Sequence, residues 1–116
     1  MRTTRYQSRA GRPVVHCTSM SRATVERRLV EISAQMKTLR AELAVAEEQL
    51  DQLSAEADDA RLRSLVSETP LAEREHREAA KHADAMGRHR SEVVADLHRL
   101  ELQQDELLDR LNEASN

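Results

Sequence analysis

From Val25 onward, apolar residues recur at alternating spacings of four and three: Val25, Leu29, Ile32, Met36, Leu39, Leu43, Ala46, Leu50, Leu53, Ala57 and Ala60. Such a pattern lays one continuous stripe along an α-helix and marks helices that pack along a heptad seam. With Leu29 at position a, Val25, Ile32, Leu39, Ala46, Leu53 and Ala60 fall at position d. The alternation resumes after Pro70 through Ala72, His76, Ala79, Ala83, Met86, Arg90, Val93, Leu97, Leu100, Gln104, Leu107 and Leu111. Neither run contains another proline. Two uninterrupted stripes of this length demand two long rods.

Between the runs stands "LVSETP". Proline disfavours a helical residue before it but suits the first turn of a new helix. Ser67 and Thr69 are both candidate caps for that helix, and Glu68, Glu73 and Glu75 complement its positive end. If the chain folds back at 67–69, the seam partners follow. Val25 meets Leu111, Leu29 meets Leu107, Leu39 meets Leu97, Leu43 meets Val93 and Leu50 meets Met86. Each pair is equidistant from residue 68, and every a position faces a d. The spacing predicts an all-α fold, an antiparallel two-helix coiled-coil hairpin over 21–116 with its turn at about 67–69. Each arm spans ~40–46 residues, or roughly 60–70 Å at ~1.5 Å per residue. The seam narrows toward the turn, where Ala57 faces Ala79 and Ala60 faces His76. Beside it, Arg61 faces Glu73 and Arg63 faces Glu75, whereas at the open end Glu42 faces Asp96 and Arg28 faces Arg110.

Composition agrees with rods rather than a layered core. The 116 residues include no Phe, no Trp and one Tyr, so the large buried areas that aromatic side chains supply are missing. Charged residues make up 34%, the composition of long helices. Of the net charge of −3, residues 1–20 contribute Arg2, Arg5, Arg9 and Arg12 and no acid, which leaves −7 for the remainder. An acidic body argues against nucleic acid as the main partner, because phosphate binding needs a basic footprint. The single cysteine, Cys17, can form neither an internal disulfide nor a zinc site, so a reducing compartment, the cytoplasm, is expected. No apolar run approaches the ~20 residues of a membrane span.

The first twenty residues, "MRTTRYQSRAGRPVVHCTSM", hold Gly11 and Pro13 and have no helical period. They read as a disordered basic tail outside the fold. Two other readings stay open: an Arg-rich and Ser/Thr-rich transit peptide, or residues preceding a natural start at Met20. "MSRATVERRL" supplies Ser21 or Thr24 as an N-cap.

Few side chains suggest chemistry. Arg90 and Gln104 are polar a positions facing Ala46 and Ile32. Arg90 is expected to snorkel past the small alanine toward Glu47 and set register. Glu73 and His76 form one Glu-x-x-His, a spacing used by di-iron bundles. Such a site needs a second copy and further carboxylates, and the first arm's seam has none. His82, His89 and His98 read as solvated or seam-edge residues. No metal, no cofactor and no catalytic grouping is expected, so the chain does not read as an enzyme. Gly87 is the weak point of the second helix, costing ~1 kcal/mol against alanine.

Two surfaces are candidate interaction sites. One is the acidic turn region, Asp58, Asp59, Glu68, Glu73 and Glu75. In architecture it resembles bacterial transcript-cleavage factors, which present carboxylates at the tip of a helical hairpin inside RNA polymerase. Their globular domain and zinc site are missing here. The other is a stripe at position e of the second arm: Ala80, Gly87, Val94 and Leu108.

The stretches "LVSETPLAEREHREAAKHADAM" and "QDELLDRL" resemble small uncharacterised coiled-coil proteins of GC-rich actinobacteria. That resemblance covers residues 25–111 and implies a hairpin without implying an activity. The expected function is a non-catalytic scaffold or adaptor acting on a protein partner, with self-association to a four-helix bundle. The alternative is a regulator that inserts an acidic tip into a large machine such as RNA polymerase or the ribosome.

Overall fold

A computed structural model describes residues 20–115 of the chain. Two helices of 46 residues each, α1 (Arg22–Ser67) and α2 (Pro70–Ser115), lie antiparallel as a hairpin, and the described residues contain no strand. The expected tail, apart from Met20, falls outside the described residues.

Local chemistry sets the helix ends. At the start of α1, Ser21 is extended (φ −71°, ψ 157°) and its Oγ accepts a hydrogen bond from the Thr24 N–H at 3.2 Å. Of the two candidate caps, Ser21 is the one used. α1 ends where Glu68 enters the left-handed region (φ 55°, ψ 37°), its N–H still donating to the Ser64 carbonyl at 3.0 Å. A non-glycine residue is strained there by roughly 1–2 kcal/mol, because Cβ crowds the following carbonyl. Thr69 then caps α2: its Oγ1 accepts from the Ala72 N–H at 3.1 Å. Pro70 is the first helical residue, where its missing N–H leaves no bond unmade. Glu73 lies in the first turn, against the positive end of the helix. The reversal therefore takes only Glu68 and Thr69.

The seam carries the burial. Val25, Ile32 and Met36 of α1 form one buried cluster with Val93, Leu97, Leu100 and Leu107 of α2, and Leu29, Leu39, Leu43 and Leu111 pack against it. This core fills the half of the hairpin remote from the turn. Toward the turn, burial continues on small side chains, with Ala46, Ala60 and Ala72 all enclosed. No polar or charged residue is buried among the described residues, so no desolvated polar group opposes the apolar seam. α2 is strongly amphipathic, whereas α1 is only weakly so. Most apolar side chains of α2 share one face, with Leu71 and Leu102 exposed off it, whereas those of α1 are spread over more than one.

The flanking charges depart from simple cross-seam pairing. No ion pair joins Arg61 to Glu73 or Arg63 to Glu75 among the described residues, and all four stay exposed. Holding two long side chains together in water gains at most ~1 kcal/mol, and their lost freedom offsets most of that. The like-charged neighbours at the open end find other partners. Arg28 pairs with Glu31 at 3.3 Å, Arg110 with Glu106 at 3.9 Å and Asp96 with Arg99 at 2.9 Å. Glu42 turns across the seam to His89 Nε2 at 3.2 Å. Those flanks are compatible with one hairpin after all.

Candidate interaction surfaces

Arg90 occupies its a position half-buried and sends its guanidinium sideways to α1. Its Nε and Nη2 donate to the same carboxylate oxygen of Glu47, at 3.1 and 2.8 Å. Ala46, which the register sets opposite Arg90, is enclosed, as a snorkelling arginine stem would leave it. Gln104 is likewise half-buried on the seam. Both polar a positions lie on the seam, half-buried, and Arg90 spends its inner donors within the hairpin.

The remaining titratable side chains do not converge. His76 is half-buried on the seam while Glu73 points to solvent. His82 is exposed, and His98 lies 3.9 Å from Glu101 on its own helix. No group of three or more His, Cys, Asp or Glu side chains among the described residues is arranged to hold a metal ion. The concave regions are shallow grooves along the rods. One lies beside Gly87, edged by Leu50, Ser54, Ala83 and Arg88. A Cβ built on Gly87 meets nothing within 4 Å. The hairpin itself therefore does not need glycine there.

Of the acids near the turn, Glu68, Glu73 and Glu75 sit at the tip and are exposed, Glu68 as the residue that makes the reversal. Asp58 and Asp59 stand back along α1, roughly 14 Å before the turn at ~1.5 Å per residue. The tip is not purely acidic. Leu62, Leu65 and Val66 at the end of α1 and Leu71 at the start of α2 are all exposed, Val66 at 85%. These four residues do not appear among the sites read from the sequence, because the two stripes end at Ala60 and begin again at Ala72, and the stretch between them reads as a turn. Their signal was the crowding of branched side chains off the seam in "RLRSLV".

On α2, Ala80 and Gly87 of the e stripe are half-buried against α1, while Val94 and Leu108 are exposed at 38% and 43%. α1 carries the larger unburied apolar surface. Val30, Val45, Leu62 and Val66 all stand more exposed than Val94 or Leu108. They occupy heptad positions b, c and f, directly away from α2. The same positions of α2 are dominated by charges such as Arg74, Arg77, Glu78, Lys81, Asp84 and Arg88, an ordinary solvated face.

No described helix is long and apolar enough to cross a membrane. Comparison of the chain with protein-family models, with curated proteins and with solved structures finds no match.

Proposed function

We propose that the chain is a non-catalytic protein-interaction module, a scaffold or adaptor that presents helix surfaces to another protein. One observation carries this reading: branched apolar side chains stand in solvent away from the seam, on the outward face of α1 and around the turn. A free rod gains nothing from Val66, Leu65 or Val30 in water, and burying each against a partner is worth roughly 1.5–3 kcal/mol. A two-helix hairpin is also marginal alone, since it buries little of its own surface. Self-association into a four-helix assembly answers both needs, in a cytoplasmic setting.

Capture from native-host extract with the tagged chain tests the reading. Two variants accompany the wild type: Leu65→Ser with Val66→Ser, and Glu73→Gln with Glu75→Gln. All four substitutions fall on exposed helix positions, so helicity and Tm should change little. Loss of bound protein with the serine pair supports docking through apolar side chains. Loss with the glutamine pair alone, with RNA polymerase or ribosomal subunits in the wild-type capture, supports tip insertion instead. Binding that neither variant weakens would sink both tip readings and leave the outward face of α1 before the turn, around Val30 and Val45, as the remaining surface.

A further inference from the structure

The outward face of α1 has a symmetry that a solvated face does not need. Val30, Ala34 and Ala41 are mirrored by Val66, Leu62 and Ala55, each pair equidistant from Glu48. All six are exposed. At ~100° per residue they fall within a sector roughly 80° wide, so they form one line along the helix rather than a scatter. It runs from residue 30 to residue 66, roughly 54 Å at ~1.5 Å per residue.

We propose that this line is a docking face for the α1 helix of a second copy of the chain, packed antiparallel about a two-fold axis at Glu48. The inference rests on the interaction-module reading and names its partner and face. Antiparallel packing puts Val30 level with the copy's Val66, Ala34 with its Leu62 and Ala41 with its Ala55. Each branched or small side chain then meets an apolar one, and the alanines permit close approach of the two backbones.

Charge selects both orientation and occupant. The outward face carries Arg27 and Lys37 in its first half, where the acid Glu31 is paired with Arg28, and Asp51, Asp58 and Asp59 in its second. Antiparallel packing sets Lys37 level with the copy's Asp59, whereas parallel packing would set Lys37 against Lys37 and Asp59 against Asp59. The acids also disfavour an anionic lipid surface, which selects basic flanks. An unrelated partner would have no reason to require a face that complements itself. A strip ~54 Å by ~10 Å buries about 540 Å² on each copy, or about 1,100 Å² in all, just above the ~1,000 Å² expected of a specific interface. Glu48 is the cost of the arrangement, because it meets its own copy at the axis. The four helices would lie in one flat layer, α2–α1–α1–α2, which leaves Val94 and Leu108 free.

Sedimentation equilibrium of the full chain at micromolar concentration tests this, with circular dichroism as a check on folding. The wild type is expected to dimerise. Ala41→Arg and Ala55→Glu should each weaken the dimer at least tenfold while helicity is kept. Together they should restore most of the affinity, because each new arginine faces a new glutamate. Glu48→Ala should tighten the dimer severalfold, and Val94→Glu should leave it unchanged. A monomeric wild type overturns the proposal. So does a dimer that Val94→Glu dissociates and Ala41→Arg does not, since its interface would then be the e stripe of α2. In either case a captured protein that depends on the tip residues would still uphold the module reading.

Discussion

Arg90 gives both of its inner donors, Nε and Nη2, to one oxygen of Glu47 on the facing helix. The carboxylate is half exposed and so is the guanidinium, so water competes for both. The pair fixes how the rods lie against each other more than it holds them together. Replacing Glu47 by alanine should cost under ~1 kcal/mol in urea unfolding. Arg90→Leu should raise stability by about 1 kcal/mol, because an apolar a position then covers Ala46. A loss of stability in Arg90→Leu would mean that the ion pair outweighs the apolar layer it interrupts.

Gly87 interrupts α2 in open space. Gly87→Ala should stabilise the hairpin by about 1 kcal/mol, which for a domain of this size raises Tm by roughly 4–8 °C. An unchanged or lowered Tm would show that some neighbour comes closer to that backbone than the hairpin alone provides.

The two turn residues should respond in opposite directions. Glu68→Gly removes the Cβ that crowds a left-handed backbone and should gain up to ~1 kcal/mol. Thr69→Ala removes the cap of α2 and should lose about 1 kcal/mol. Chemical denaturation of both variants reads the two effects, and a gain from Thr69→Ala would contradict the hydrogen bond to Ala72.

Register is open to a direct chemical check. With Cys17→Ser as background, Leu43→Cys and Val93→Cys together should form a disulfide within one chain, visible as faster migration without reductant. A covalent dimer in place of that species would mean that the two arms pair between molecules.

The seam and the turn were legible in the sequence for a plain physical reason. A stripe with spacings of four and three can bury itself only on a helix, and Pro70 can stand only where one helix begins. Charge pairing was less legible. Register places Arg61 beside Glu73, but exposed charges gain too little to be held there, and at the open end Arg28 and Asp96 take partners three residues away on their own helices. The left-handed Glu68 carried no signal, since glycine or asparagine is the usual residue in that conformation. The outward line of α1 was hidden differently. It passes through positions b, c and f and is interrupted by Glu48, Gln52 and Asp59, so heptad counting assigns it to solvent until the exposure of Val30 and Val66 picks it out.

The placement of the largest buried side chains has a consequence for how the hairpin closes. Ile32 and Met36, fully enclosed, belong to the half remote from the turn, while the layers beside the turn are built from Ala57, Ala60, Ala79 and His76. A hairpin that zips from its turn gains little from those first layers. Reaching the level of Ile32 and Gln104 instead of that of Ala60 and His76 means closing a loop of about 72 residues rather than about 16, at an extra entropic cost of about 1.3 kcal/mol. Closure of the distant layers is therefore expected to limit the folding rate more than formation of the turn. Once closed, the molecule is clamped at its free ends and loosest near its bend, so amide protons beside the turn exchange with solvent before those of the core at the termini.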